Sequence, residues 1–404
     1  MLPDKRGLKI INEYMSSGLN LEEVKQNPYG FCSVSERKRG KLKTEGFRSS
    51  LTSFAPIKKK LISELEKLDL LVKTEDGTYT LRSEHGEELM HSRVGALTES
   101  VEKFVIPSNL ENMSHPKILD LCSGMGYNAV AALHFNKDCE IDMVEISEET
   151  LFLSLCLDIP YKEHELVKEC INNYFLNKNE NEKKINLHVG DARKIIKNMD
   201  KKYNIVFHDA FSPQRDAVLY TVDFLKEIYK RMDDNGVLIS YSSSIPFRSA
   251  LVECGFVISE GPSVGRKRGA TVAYKNPPSD KDIKRISEID ERLIALSTVG
   301  VPYRDKELNL NHEEIIKNRE IEREELKEKL VSVGKYISTK KIKKGDIPNE
   351  FLEVQKLGLN SSEIIRKMRS MLLRKPTPLK IEANFFEICC RSESKGFTDR
   401  DKFL

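Results

Sequence analysis

Tryptophan is absent from the 404 residues, and glutamine occurs only at Gln26, Gln214 and Gln355. Lys, Glu and Ile abound instead, a bias of heat-adapted proteins and equally of AT-rich genomes. No apolar run reaches the roughly eighteen residues that span a bilayer, so no membrane segment is expected. The terminus Met1-Leu-Pro-Asp-Lys-Arg6 lacks the basic-then-apolar layout of a signal peptide. Eight cysteines occur without a Cys-x-x-Cys, and the pair Cys389-Cys390 reads as incidental. This argues against a disulfide framework or a zinc site and makes a reducing cytoplasm the expected compartment. The net charge of +3 is too small to argue for nucleic-acid binding. A length of 404 with 39% hydrophobic residues leaves a globular protein of two or three domains.

The informative stretch runs from Lys117 to Glu145. Ile118, Leu119 and Leu121 read as a buried strand, with Asp120 the polar interruption near its carboxyl end. Gly124 and Gly126 let the backbone turn tightly and approach a ligand that a Cβ would push away. A helix follows, then a second strand ending in Glu145, nineteen residues after Gly126. That is the spacing of a carboxylate that accepts both ribose hydroxyls of a nucleoside cofactor in a parallel α/β sheet.

Four regions separate along the chain: an N-terminal extension (1–55), a helix and β-hairpin entry segment (56–115), an α/β core (116–278) and a helical, basic C-terminal extension (279–404). The first is expected to be irregular, with a short helix after Asn20 and a basic stretch from Glu36 to Lys43. Leu61, Ile62, Leu65, Leu68 and Val72 share one face of a helix predicted over 56–72. A hairpin is predicted to pair 78–82 with 87–91, turning at His85-Gly86. In the core, strands are predicted at 117–122, 140–145, 185–189, 204–209, 237–241, 256–260 and 271–274. Helices fit 126–135, 148–157, 217–232 and 246–254. The link before the seventh strand is too short for a right-handed crossover, so strands six and seven should pair antiparallel. Dehydrogenase domains usually lack such a hairpin. The predicted fold class is therefore α/β, a Rossmann-like class I methyltransferase with a seven-stranded, mostly parallel sheet. Between Lys340 and Lys380 eleven Lys/Arg face four acids, either a solvated surface or a charged partner's contact.

Three acids should lie along the carboxyl edge of the sheet, where ligands bind in open α/β folds. Besides Glu145 they are Asp191, in Gly190-Asp191-Ala192, and Asp209, in His208-Asp-Ala-Phe-Ser-Pro213. Asp191 is placed to accept from an adenine amino group, and Asp209 lies above the reacting end. A sulfonium methyl donor needs only alignment with its nucleophile. An amine nucleophile must first shed a proton, which a carboxylate such as Asp209 can take. Phe211, with Pro213 fixing the loop behind it, offers a stacking face for a base lifted from an RNA loop. Asp209 reads alternatively as a helix cap, and Arg266-Lys267-Arg268 as either a charged hairpin tip or a contact for RNA phosphates. His208 points away from Asp209 by strand alternation and reads as a packed residue.

Four stretches carry a resemblance: Leu81 onward through His91-Ser-Arg-Val-Gly-Ala-Leu-Thr-Glu99, Asp120-Leu-Cys-Ser-Gly-Met-Gly126, His208–Pro213, and Gly265-Arg-Lys-Arg268. They resemble the MnmC-type methyltransferase domain, in the stand-alone form without its FAD oxidase half. Leu296–Asp305 is similar to the tail of stand-alone members, and the resemblance covers roughly residues 75 to 330. It implies S-adenosyl-L-methionine as cofactor, no FAD and no metal. It implies as reaction the methylation of a 5-aminomethyl group on a tRNA wobble uridine, with the anticodon stem-loop as partner. By position, Asp120, Gly124, Gly126, Glu145, Asp191 and Ala192 would hold the donor, with Glu99 near its methionine end. Asp209 would be catalytic, and Phe211, Pro213, Arg266, Lys267 and Arg268 would meet RNA. The loop departs from the family in Gln214-Arg215-Asp216 and in Tyr220, where relatives tend to have Trp. An aminopropyltransferase of the spermidine-synthase kind and a non-catalytic RNA-binding protein are the rival readings.

Overall fold

The computed structural model describes residues 4–15, 58–83, 89–175, 184–264, 269–279 and 283–373. The expected helix after Asn20, the stretch Glu36–Lys43, the tip Arg266-Lys267-Arg268, the end of the basic run beyond 373 and Cys389-Cys390 lie outside the described residues. The N-terminal region contains a helix where irregular chain is expected. Helix α1 (Lys5–Glu13) starts where the Asp4 side chain accepts from the amide of Arg6 at 2.8 Å.

The entry segment differs from the expected layout at two points. Among the described residues helix α2 covers 58–67 and ends short of the expected 72. Asp69 adopts φ 56°, the amide of Leu70 bonds the carbonyl of Leu65 and that of Asp69 bonds Glu66. This pattern closes a helix with a left-handed residue and packs Leu70 against Leu65. Leu68 is left exposed, and Val72 falls in strand β1 (Leu71–Lys73). The described hairpin pairs β1 with β2 (Tyr79–Leu81), a pairing absent from the sequence reading. Asp76-Gly77 makes its turn, with Gly77 at φ 82°. The expected turn at His85-Gly86 lies outside the described residues; beside it Arg82 bridges Leu89 antiparallel and the amide of Met90 bonds the carbonyl of Leu81 at 2.9 Å. Helix α3 then runs Ala96–Glu99, passing through a wider turn (Ser100–Val105) into Ile106–Ser108.

The core is one seven-stranded sheet. Its strands are β3 (Lys117–Leu121), β4 (Glu140–Glu145), β5 (Ile185–Val189), β6 (Tyr203–His208), β7 (Met232–Ser240), β8 (Val257–Glu260) and β9 (Thr271–Tyr274), in the order β5-β4-β3-β6-β7-β9-β8. The first five are parallel, and β9 lies antiparallel between β7 and β8. Ile118, Leu119 and Leu121 are fully buried, as a strand covered on both faces requires. Strand order reverses between β3 and β6, which puts the crevice of an open α/β sheet at their carboxyl ends.

Crossovers are supplied by α4 (Tyr127–Phe135), α5 (Glu148–Cys156), α6 (His164–Phe175), α7 (Ala192–Lys197), α8 (Val222–Lys230) and α9 (Ile245–Cys254). Two of these, α6 and α7, are absent from the sequence reading. Val167, Cys170 and Ile171 mark the buried face of α6 at helical spacing. The helix expected over 217–232 is a single tight turn (Val218–Tyr220) followed by α8, because the Thr221 hydroxyl caps the amide of Phe224. Met232 belongs to β7.

Side chains of alternate parity feed two cores. Ile118, Ile141 and Phe207 pack with α1, α2, α4, α5 and α6. Leu119, Val144 and Val206 pack with α8, α9 and the later helices α10 (Glu288–Leu296), α11 (His312–Ser332), α12 (Thr339–Lys344), α13 (Asn349–Gln355) and α14 (Ser361–Leu373). Among the described residues no helix is long and apolar enough to cross a membrane.

Candidate functional site

A cavity of about 1390 Å³, counting its open mouth, lies along the carboxyl edge of β3, β4, β5 and β6. Its floor is the turn after β3. Cys122, Gly124 and Gly126 all take positive φ, at 60°, 54° and 83°. The two glycines do different work. A Cβ on Gly124 would meet nothing nearer than the Cys122 carbonyl at 3.8 Å, and Gly124 lines the cavity. A Cβ on Gly126 would fall 2.9 Å from Cγ1 of Val167 on α6. Gly126 therefore serves helix packing and is not among the lining residues.

Glu145 closes β4 with its carboxylate held by three amides. Oε2 accepts from Gly124 at 2.8 Å, and Oε1 accepts from Ile146 at 2.8 Å and Ser147 at 2.9 Å. Burial raises its carboxyl above the usual range, and those three donors oppose the rise. A fixed carboxylate beside a turn with no side chain is what two vicinal hydroxyls and a close sugar require, so these residues fit an adenosine-based donor. Among the described residues no group of three or more His, Cys, Asp or Glu is arranged to hold a metal ion.

Asp209 follows β6, its amide bonding the Leu121 carbonyl of β3 at 3.2 Å. It is half-buried and lines the cavity. Asn128, buried in the first turn of α4, donates from Nδ2 to Asp209 Oδ2 at 3.0 Å. Burial pushes the Asp209 carboxyl up to about 7; Asp120 and Glu99 add to the rise, while Asn128 and Lys103 oppose it. Asp120 sits beneath, 0% exposed and outside the cavity lining, with both carboxylate oxygens lacking a well-formed hydrogen bond. Burial drives it to about 7 as well; Ser123 and Asn128 lie near enough to temper this. Glu99 accepts from the amide of Ser92 at 3.0 Å and pairs with Lys103 at 2.9 Å. Burial would raise its carboxyl, but Lys103 and Ser92 outweigh it and hold it low.

On the adenine side of the expected layout, Asp191 caps α7 and grips Arg193. Gly190, Asp191, Ala192 and Arg193 all line the cavity. The loop after Asp209 is tied down by Tyr220, whose buried hydroxyl donates to the Ala210 carbonyl at 2.8 Å. His208 packs against Tyr220 and Phe247 with Nε2 2.8 Å from the Leu219 carbonyl, a core residue as expected.

Of the residues singled out by sequence, Glu99, Gly124, Glu145, Asp191, Ala192, Asp209 and Phe211 converge on one cavity. Asp120 and Gly126 lie behind its wall, because one is buried near the end of β3 and the other faces α6. Pro213 is buried and off the lining, which accords with bracing the loop. Sequence reasoning missed Asn128 and Arg193, which also line the cavity, as does Asp216, named in the sequence only as a departure from the family. Asn128, two residues beyond the glycine turn and inside an apolar helix, was the legible signal.

Residues 161–276 match a family described as S-adenosyl-L-methionine-dependent methyltransferases. The uncharacterised protein MJ0670 of Methanocaldococcus jannaschii is 58% identical over 91% of this chain and 96% of its own length. The tRNA 5-methylaminomethyl-2-thiouridine biosynthesis bifunctional protein MnmC of Burkholderia thailandensis is 24% identical over 51% of this chain; the match spans 35% of that protein. The crystal structure of MnmC2 from Aquifex aeolicus superposes with a TM-score of 0.51 at 28% identity, covering 66% of this chain and 97% of that one. With the glycine turn, the held Glu145 and the sheet order already in place, these likenesses make the chain a member of the S-adenosyl-L-methionine-dependent methyltransferases of the MnmC type.

Proposed function

We propose that the protein methylates the amine of a 5-aminomethyl group on a tRNA wobble uridine, giving 5-methylaminomethyl. The observation that carries this reading is Asp209: a carboxylate at the cavity, anchored by Asn128 and raised to about 7. A general base is best matched when its pKa lies near working pH. The bound donor supplies an electrophilic methyl carbon on a positively charged sulfur. Asp209 takes the ammonium proton, the freed nitrogen lone pair forms the new N–C bond, and the C–S electrons return to sulfur. Glu145 takes the ribose hydroxyls, Asp191 the adenine amino group, and Glu99, held by Lys103, faces the methionine end. Phe211 stacks on the extruded base, and Arg266, Lys267 and Arg268 take phosphates of the anticodon stem-loop. The names of the MnmC relatives, which concern 5-methylaminomethyl-2-thiouridine in tRNA, support this acceptor. A cytoplasmic location accords with the free thiols of Cys122, Cys139, Cys156 and Cys254.

The test is direct. Purified protein, methyl-labelled donor and tRNA bearing 5-aminomethyl-2-thiouridine are combined, and the digested nucleosides are weighed by mass spectrometry. One added methyl on that nucleoside is expected; an unmodified nucleoside refutes the acceptor. Asp216 lines the same cavity, a second acid that favours aminopropyl transfer to a polyamine. Product formation from the decarboxylated donor and a diamine would move the assignment there.

A further inference from the structure

Asp191 is held from its own helix and, through that hold, from a segment more than a hundred residues downstream. Arg193 Nε donates to both Asp191 oxygens, at 3.1 and 3.2 Å, and Nη2 donates to Oδ2 at 2.8 Å. The amide of Arg193 adds a third donor, to Oδ1 at 2.9 Å. The opposite side of the same guanidinium is anchored elsewhere. Nη1 donates to Asp305 Oδ2 at 3.0 Å and to the Leu310 carbonyl at 2.7 Å. Asp305 is buried, its Oδ1 accepts from the amides of Asn309 and Leu310, and its own amide donates to Asp223 Oδ2 on α8.

A guanidinium is a flat fork that fixes the plane of any carboxylate it grips in two places. A carboxylate offers about four lone-pair sites; three N–H groups of Arg193 make four contacts with Asp191, because the Nε N–H is shared between its two oxygens at 3.1 and 3.2 Å and fills neither site completely. The half-filled place, on a residue that lines the cavity, suits one N–H of a 6-amino purine. A 6-oxo purine presents an acceptor at the same place and is repelled. The direction of that half-filled lone pair depends on Arg193, and Arg193 cannot turn while Asp305 and Leu310 hold its other edge.

We propose that Asp305 is a positioning residue for donor selection, acting through Arg193 to aim the lone pair by which Asp191 distinguishes a 6-amino from a 6-oxo purine. The inference rests on the adenine role given to Asp191 above. It makes the chain beyond Gly300 part of the donor site, although none of its residues lines the cavity.

The experiment is calorimetric titration of the full chain with S-adenosylhomocysteine and with S-inosylhomocysteine, which differ only at that purine position. The wild type is expected to prefer the adenosyl compound. Asp305→Asn should lower this preference about tenfold, the value of one charge-assisted hydrogen bond, mainly by weakening the adenosyl compound. Arg193→Lys keeps a cation for Asp305 but cannot grip two oxygens at once, and should lose the preference likewise even where Asp305→Asn does not fold. Variants that bind both compounds more weakly at the wild-type ratio overturn the proposal, since that is what general loosening does. A wild type with no preference overturns the role of Asp191 itself, while variants that keep an existing preference overturn only the clamp.

Discussion

Asp120 lies one residue inside the end of β3 and Asp209 one residue past the end of its neighbour β6, and Asn128 stands beside both. Two carboxyls this close in a buried setting do not ionise independently. Asp209, the one that meets the cavity, is expected to need its charge. Single-turnover methyl transfer should therefore rise with pH through about 7 and then level. Asp209→Asn should flatten that limb and slow transfer by about 10²–10⁴-fold with donor affinity intact. Wild-type rates in this variant, read with labelled donor, would remove Asp209 from the chemistry. Asp120 has the opposite consequence for stability. Its folded pKa of about 7 lies above the unfolded value, so the folded state holds a proton more tightly. Stability from this group is full below about pH 4 and is lost as pH climbs towards 7. Asp120→Asn, which cannot ionise, should gain a few kcal/mol over wild type near pH 8, at about 1.4 kcal/mol per pKa unit. Near pH 4 the gain should vanish, and thermal melts at the two pH values give the comparison.

At the scale of elements, the glycine turn is set by two neighbours with unrelated demands. The cavity needs Gly124 bare, and α6 needs Gly126 bare. Gly126→Ala combines a clash at 2.9 Å with a φ of 83°, and should cost about 1–3 kcal/mol in urea denaturation. Val167→Ala removes the clashing methyl, so the double variant should lose less than the two single losses added; strict additivity would show that backbone strain alone sets the cost. The bounds of β4, β5 and β9 were legible because apolar residues recur at strand spacing between turn residues, as with Ile141 and Met143 or Ile185, Leu187 and Val189. Helix α6 was not, since Lys162–Lys168 reads as charged loop until α5 and β5 bury its apolar side. The hairpin β1–β2 was missed because Leu71 and Val72 extend a helical period that Asp69 interrupts through backbone conformation, which no periodicity reveals.

For the whole molecule, the helices beyond Pro278 share a core with the sheet. Glu291 of α10 is fully buried and accepts from Arg285 at 2.7 Å, Gln355 at 2.7 Å and Ser361 at 2.8 Å, joining α10, α13 and α14. Removing it leaves Arg285 without its carboxylate and two buried donors unpaired. Glu291→Ala should cost about 3–5 kcal/mol, with one cooperative transition by circular dichroism. Two transitions would mean that these helices unfold apart from the sheet. The basic excess after Lys340 is also redistributed: Arg366 donates to the carbonyls of Val252 and Phe256, and Arg369 to Ser249 and to the carbonyls of Ile294 and Gly300. Lys340, Lys341, Lys343 and Lys344 remain exposed on α12. Of the cations counted from the sequence, Arg369 is thus half-buried, while Arg366 stays exposed with one edge bound to backbone carbonyls.

What the amino-acid order determined by itself is local: a strand, a glycine turn and an acid at a set distance place Gly124 and Glu145 together, because the chain between them is short and regular. The antiparallel end of the sheet follows equally from the length of one link. Only tertiary structure decided which acids see the cavity and which are sealed beneath it, and which cation restrains which carboxylate. Asp120 and Asp209, Asn128 and Asp209, and Arg193 and Asp305 lie far apart in sequence, and their pairing depends on how strands and the C-terminal segment come to rest on each other. Burial, which shifts both Asp120 and Asp209 to about 7, is a property of that packing and of no residue alone.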